Sequence, residues 1–200
     1  MSDHYYSNQP QSQSNPVTWE YELKGNHFSF TTDHGVFSRN EVDFGSRTLI
    51  EAFVDPGTEG KLLDLGCGYG PVGLSLAKAY PHRQVVLSDV NERALGLAEL
   101  NAEQNQITNV EFKISDRLES LQNEKFSAIL TNPPIRAGKK VVHQMFEQSY
   151  EALSSEGELW VVIQKKQGAP SAQKKMEELF GNCETVLKNK GYYIFRSVKG

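Results

Sequence analysis

A chain of 200 residues with 38% hydrophobic side chains, 23% charged ones and a formal net charge of −4 is long enough for one domain with a substantial core. No apolar run approaches the roughly 20 residues of a membrane span. The opening MSDHYYSNQPQSQSNP carries no apolar signal core, so a cytoplasmic protein is expected. The two cysteines (Cys67, Cys183) and five histidines (His4, His27, His34, His82, His143) form no CxxC or HxxxH pair. That excludes a disulfide framework and argues against a zinc site.

Residues 1–16 are rich in Ser, Gln, Asn and Pro and predict a flexible arm, although Tyr5 and Tyr6 are suited to docking on the body. Trp19–Leu23 and His27–Thr32 alternate bulky and polar side chains around Lys24-Gly25-Asn26, a hairpin pattern. Residues 46–54 suit a short amphipathic helix stopped at Asp55-Pro56-Gly57. Beyond Lys61 the chain alternates. Strands are expected at Leu62–Leu65, Val85–Ser88, Val110–Ile114, Phe126–Leu130 and Leu159–Ile163. Helices are expected at Val72–Ala79, Glu92–Gln104 and Val141–Leu153. Such alternation predicts an α/β fold whose mostly parallel sheet is covered on both faces. Gly168-Ala169-Pro170-Ser171 reads as a loop and Ala172–Phe180 as a helix. Thr185–Lys188 and Tyr192–Ser197 then form an antiparallel hairpin around Asn189-Lys190-Gly191. The domain divides into residues 17–58 (hairpin and helix) and 59–200 (alternating core).

The strongest local signal is Leu62-Leu63-Asp64-Leu65-Gly66-Cys67-Gly68-Tyr69-Gly70-Pro71. A strand enters a glycine-rich turn that opens a helix, and glycine lets backbone approach a ligand closely. A dinucleotide fingerprint needs Gly or Ala where Pro71 stands. No Gly-Lys-Ser/Thr follows, so a P-loop is excluded. Asp64 near the strand tip would repel a pyrophosphate. It suits a phosphate-free ligand bearing an ammonium and a sulfonium, such as S-adenosyl-L-methionine. Asp89 ends the next strand, about 20 residues on, where an acid accepts ribose hydroxyls; Asn91 is available to cap the following helix. Asp116, after the third strand, fits either an adenine contact or an N-cap for residues 117–121. Cys67 is expected to be inert, because no thiolate is needed.

Thr131-Asn132-Pro133-Pro134-Ile135 follows the fourth strand of the alternating run. At the carboxyl end of a parallel strand, Asn132 would sit beside the glycine loop, both in a ligand crevice. Pro133 and Pro134 contribute no amide donors. What remains, one side-chain amide and backbone carbonyls, can grip the hydrogens of an NH2 group. The lone pair of that group is then turned toward an electrophilic methyl without a strong general base.

The glycine loop, Asp89 and the Asn132-Pro133-Pro134 turn resemble the class I, Rossmann-like S-adenosyl-L-methionine methyltransferases. The resemblance implies a seven-stranded sheet, mostly parallel with its last strand antiparallel, here carrying a small N-terminal hairpin extension. Asn132-Pro133-Pro134-Ile135 resembles the N-P-P-[YFW] signature of amino-group methyltransferases, shared by adenine-N6, glutamine-N5 and guanine-N2 enzymes. Ile135 in place of an aromatic removes a stacking ring worth ~1–3 kcal/mol and argues against the adenine group. Gly35-Val36-Phe37-Ser38, Asp43-Phe44-Gly45-Ser46-Arg47 and Asn132-Pro133-Pro134-Ile135-Arg136-Ala137-Gly138 resemble the catalytic half of bacterial small-subunit (16S) ribosomal RNA guanine-N2 methyltransferases, the RsmC-like group. The resemblance begins near residue 17, so no counterpart of the additional N-terminal methyltransferase-like domain of longer members is expected within these 200 residues. By this analogy Asn132, Pro133 and Pro134 are catalytic. Asp64, Gly66, Gly68, Gly70, Asp89, Asp116 and Asn132 bind the cofactor. Phe37 and Ser38 line the pocket, and Asp43 lies near the methionine end.

Residues 1–133 hold 10 Lys and Arg against 18 Asp and Glu, whereas residues 134–200 hold 11 against 7. A basic C-terminal part can turn one face toward a polyanion in an acidic chain. Arg136, Lys139, Lys140 and Lys165, with Lys166 and Gln167 beside it, are expected near the strand ends, where they and Ile135 would meet ribosomal RNA or the small subunit. Two rivals stand against this reading: methylation of a release-factor glutamine, for which position 135 would normally be Tyr, and a non-catalytic RNA-binding protein.

Overall fold

The structure is a computed structural model describing residues 13–34 and 40–200. The segment with Tyr5 and Tyr6 and the pocket candidates Phe37 and Ser38 lie outside the described residues.

Strands β1 (Val17–Leu23) and β2 (Asn26–Thr32) form a separate two-stranded antiparallel sheet. Helix α1 (Phe44–Ala52) follows. Then come β3 (Lys61–Leu65), α2 (Pro71–Ala79), β4 (Val85–Asp89), α3 (Glu92–Gln104), β5 (Val110–Ile114), β6 (Phe126–Thr131), α4 (Lys139–Ala152), β7 (Leu153–Gln164), α5 (Ala169–Phe180), β8 (Glu184–Asn189) and β9 (Tyr192–Val198). The main sheet runs β5-β4-β3-β6-β7-β9-β8. The first five strands in that order are parallel, and β9 is antiparallel to both its neighbours. This is the expected Rossmann-like sheet of seven strands with an antiparallel last strand.

Both faces are covered. One core contains Leu62, Leu87, Leu130 and Trp160, with the N-terminal hairpin and α1 packed over it. The other contains Leu63, Val86, Ile129, Phe146 and Phe195 beneath α4 and α5. Alternate residues of one strand fall in different cores because side chains alternate across a pleated sheet.

Several boundaries differ from expectation, each for a local reason. Helix α1 starts at Phe44 instead of 46 because the Asp43 carboxylate caps it, accepting from Ser46 N at 3.0 Å. It ends at Ala52, as Phe53 is already extended. Helix α5 begins at Ala169, so the expected loop at 168–171 is its first turn, with Pro170 where a missing amide costs nothing. Helix α4 begins at Lys139 after Gly138. Strand β7 extends back to Leu153, through a polar stretch whose own pattern does not read as strand.

The hairpin is held by two asparagines, Asn101 of α3 and Asn105 at its C-cap. Asn101 accepts from Thr31 N (2.7 Å) and donates to Thr31 O (3.0 Å); Asn105 does the same for Ser29 N and O (both 2.9 Å). Residues two apart on a strand repeat every ~6.8 Å, close to the ~6 Å between residues four apart on a helix. The two amides thus imitate a neighbouring strand along the edge of β2. Asn101 also donates to Tyr69 O at 2.9 Å, joining the hairpin to the glycine loop.

Arg83 is 7% exposed. It binds both carboxylate oxygens of Asp55 and donates to Gly60 O at 2.9 Å. These Arg83 hydrogen bonds hold the Asp55 pKa below the usual carboxylate value. Removing one partner strands a buried charge, so Asp55→Ala should cost about 3–5 kcal/mol at neutral pH. A lowered folded pKa stabilises above the unfolded value of about 3.9 and ceases to do so as pH falls through the folded value. Urea midpoints of the two proteins should therefore converge toward low pH. A gap that persists unchanged under acid conditions would mean Asp55 acts only by packing.

Candidate active site

Strands β3 and β6 lie side by side at the sheet centre, with Leu65 opposite Thr131 in register. One chain continues from β3 toward β4 and β5, and the other leads to β7 on the opposite side. That reversal opens a crevice at the carboxyl ends of the strands. A cavity of about 240 Å³ sits there. Its lining includes Leu65 and Gly66 from the end of β3, Asp89 and Val90 from β4, Ser115, Asp116 and Arg117 from the turn after β5, and Asn132 and Pro134 from the turn after β6. Ala137, Val141 and Met145 complete one wall. The glycine bend and the Asn132 corner therefore share one cavity.

The loop Gly66–Gly70 owes its shape to three residues at positive φ, Gly66 (76°), Gly68 (56°) and Gly70 (103°), a region that L side chains rarely adopt. Four of its five amides are committed inside the protein. Gly66 N and Cys67 N donate to Ser88 O, Gly68 N to an Asp89 carboxylate oxygen at 2.8 Å, and Gly70 N to Cys67 O. They do not cradle a diphosphate. Asp89 is buried, and its other oxygen accepts from Asn91 N at 2.9 Å. Asn91 caps α3 through Ala94 N at 3.0 Å, so Asp89 is not the helix cap.

Asp64 is placed differently from Gly66. Its carboxyl is buried beneath the loop and accepts from Gly73 N at 2.7 Å, and it is not part of the cavity lining. Burial raises its pKa to about 7, opposed by the Gly73 amide and reinforced by the nearby Asp89 charge. Within the loop, Gly68 and Gly70 are likewise buried and are not part of the cavity lining. Burial also pushes the Cys67 thiol well above its ordinary value, helped by the charges of Asp89 and Asp64, so it carries no thiolate.

Asp116 lines the cavity beside Arg117, 3.7 Å away. The short 3-10 turn after it spans Glu119–Leu121, and its side-chain acceptor is Ser115, bound by Ser120 N at 3.1 Å. Arg117 was not legible in the sequence. It stands at φ 53°, rare for a non-glycine residue, and its buried Nε has no hydrogen-bond partner among the described residues. Val90, Ser115, Ala137, Val141 and Met145 were also missed. Only their distance from the ends of β4, β5 and β6 could have marked them.

The Asn132 side chain is oriented by α1. Its Nδ2 donates to an Asp43 carboxylate oxygen (3.0 Å) and to Ser46 Oγ (3.2 Å). A carboxylate only accepts, so the nitrogen must face it. The Oδ1 is left as the unspent acceptor among the described residues. Asp43 thus lies against Asn132, while also capping α1. Pro133 is buried and Pro134 lines the cavity. Ile135 begins a 3-10 turn, Ile135–Ala137, and packs toward the core beneath α4. Arg136, Lys139, Lys140 and Lys165 are exposed on the turns that follow β6 and β7.

The cavity joins apolar walls (Leu65, Val90, Val141, Met145) to the carboxylates of Asp89 and Asp116 and to Arg117, whose Nε lies 3.7 Å from Asp116 without a hydrogen bond. That donor and acceptor set fits a nucleoside with no phosphate. Placed beside an Asn132-Pro133-Pro134 turn at the switch point, it defines a Rossmann-like methyltransferase.

Comparison with known proteins gives the family. Residues 27–196 match the description "Methyltransferase small domain", and the chain belongs to that family. The "Uncharacterized protein YbxB" of Bacillus subtilis (strain 168) is 57% identical over 200 residues, covering all of both chains. Among solved structures, the 16S rRNA N2 methyltransferase RsmC of T. thermophilus, in complex with AdoMet and guanosine, superposes with a TM-score of 0.84 at 26% identity. The match covers 94% of this chain and 52% of that one, so this chain spans about half of that protein's length. A methyltransferase from Pyrococcus furiosus shares the fold at 17% identity and a TM-score of 0.66, over 76% of this chain and 80% of its own. The methyl donor of the family is S-adenosylmethionine, as in the RsmC complex. No helix among the described residues is long and apolar enough to cross a membrane.

Proposed function

We propose that this chain transfers the methyl group of S-adenosylmethionine to an exocyclic amino nitrogen, guanine N2 of small-subunit (16S) ribosomal RNA, in the cytoplasm. One observation carries the reading. Asn132 is held with its NH2 against Asp43 and Ser46, so that its Oδ1 is the acceptor left in the cavity that Gly66 and Asp89 also line. The likeness to RsmC supports guanine N2 and ribosomal RNA as the substrate.

When bound, the cofactor supplies a methyl group on a positively charged sulfur. The chain does the rest by placement. The Asp89 carboxylate, kept in register by Gly68 N and Asn91 N, offers its remaining acceptor capacity to ribose hydroxyls. Leu65, Val90, Val141 and Met145 exclude water around the base of the cofactor, and Asp116 and Arg117 contribute polar groups there. Asn132 Oδ1 and the carbonyl oxygens of the proline turn accept the two hydrogens of the target amine. That grip draws its lone pair out of conjugation and aims it along the line of displacement. Taking the methyl would leave the nitrogen cationic and the cofactor sulfur a neutral thioether; the acceptors would tighten on the amine hydrogens, and the extra proton would pass to solvent water. Arg136, Lys139, Lys140 and Lys165 hold flanking phosphates.

The test is direct. The protein is incubated with methyl-labelled cofactor and, separately, 16S RNA, assembled small subunits, DNA or release factor, and labelled products are digested and identified. N2-methylguanosine from RNA or subunits is expected. Label on a release-factor glutamine would transfer the assignment to protein methylation. No label in any arm would leave only a cofactor-binding protein.

A further inference from the structure

Helix α4 has a second working surface. Val141 and Met145, one turn apart, face the cavity described above. Roughly 150° round the same helix, Lys139, Lys140, His143, Gln144 and Glu147 line an open cleft of about 640 Å³, whose far wall includes Lys175 of α5. The cleft is built from fixed parts. His143 shares a hydrogen bond with Ser171 Oγ of α5 at 3.2 Å and lies flat along Phe146, ring centroids 6.2 Å apart at 23°. Three lysines face one glutamate. Glu147 is held by Lys175 at 2.7 Å, while Lys139 and Lys140 have no carboxylate partner among the described residues. The cleft therefore carries uncompensated positive charge in a chain whose net charge is −4. The imidazole responds to its setting: burial first, then the charges of Lys139 and Lys175, lower its pKa.

We propose that this cleft between α4 and α5 is a binding site for the phosphodiester backbone of the substrate RNA, outside the catalytic cavity. The inference rests on the RNA reading above and extends it to a second, separate contact. Lysine is a point-charge phosphate binder with donors only. From Lys139 to Glu147 the helix runs about 12 Å, against one charge per ~3.4 Å of axis along a helical strand, so the cleft spans more than one phosphate. The segment Pro134–Lys140 connects the two sites without a break. An RNA whose target base reaches the Asn132 corner can thus continue along α4, fixing the strand on one side of the extruded nucleotide.

The experiment compares Lys175→Glu with Lys113→Glu, the same charge change on the exposed edge strand β5. Affinity for a fluorescent 16S RNA fragment is read by anisotropy from about 50 to 200 mM salt, with thermal melts confirming both folds. Lys175→Glu should weaken binding about tenfold at the low-salt end and reduce the slope of log K against log salt by roughly 0.7, the value for one lost contact to a single strand. Cofactor affinity and kcat at saturating RNA should be unchanged, and Lys113→Glu should change RNA affinity less than twofold. Equal affinity and slope in Lys175→Glu and the parent would overturn the site. So would equal losses in the two variants, RNA binding absent from the parent, or a loss seen only with assembled subunits, which would point to a ribosomal protein. If RNA binding responds as expected while the parent methylates no guanine, the cleft stands and the guanine-N2 reading falls.

Discussion

Asn132→Ala is expected to lower kcat for methyl transfer by about 10²- to 10³-fold, the typical loss when one preorganised polar group at the reacting centre is removed. Cofactor Kd should change by less than about threefold, because Gly66, Asp89 and the apolar walls remain. The reason lies in the division of labour within one amide. Its nitrogen is spent on Asp43 and Ser46, so on the proposed mechanism its oxygen is the group left to serve the substrate. Alanine removes that acceptor and leaves the cavity polar but unable to orient an amine. Asn132→Asp makes the argument sharper. It restores an acceptor of the same shape, yet it sets a second carboxylate where Asp43 now accepts at 3.0 Å. Like charges at that distance disfavour joint ionisation, so this variant should stay well below the parent at neutral pH. Single-turnover rates with saturating cofactor would measure the chemical step. Near-parental turnover in Asn132→Ala would remove the amide from the mechanism.

The second large effect is expected at Asp89. Asp89→Ala should weaken cofactor binding by ~1.5–3 kcal/mol, as for loss of a hydrogen bond to a charged group, or roughly 10- to 150-fold in Kd. The carboxylate has two duties. In the proposed function it would accept from the ribose hydroxyls, and in the structure it holds Gly68 N and Asn91 N. Asp89→Asn keeps one acceptor oxygen but adds a donor facing backbone amides, so it should recover only part of the loss. Isothermal titration reads the affinity, and a thermal melt shows how much of the change belongs to the loop itself. Unaltered affinity in Asp89→Ala would mean that the cofactor is held without it.

A good part of this molecule was readable from the chain. The period-two and period-3.6 patterns beyond Lys61 specify strands and helices in sequence, because side-chain periodicity is a local property of backbone geometry. The glycine loop and the Asn132-Pro133-Pro134 turn are local too: positive φ at Gly66, Gly68 and Gly70 and missing amides at two prolines are written into residue type. Their meeting follows from the rule that parallel strands present their carboxyl ends on one side. Boundaries were less legible where a cap or a neighbouring strand decides them, as at Phe44 and Leu153.

What only the tertiary structure decided is which distant groups satisfy each other. Asp43 is set near the methionine end by resemblance alone, and only the fold shows that it meets Asn132, 89 positions on. Asn101, within a predicted helix, and Asn105, just past its end, prove to be the clamp on the hairpin. Arg117 gave no sign of facing the cavity, and Asp64, expected there, is buried behind it. Periodicity and turn chemistry are encoded over a few residues, so the sequence alone could determine the elements and their order. Hydrogen-bond partners are chosen by proximity after folding, at separations of tens of residues, and no local pattern records them.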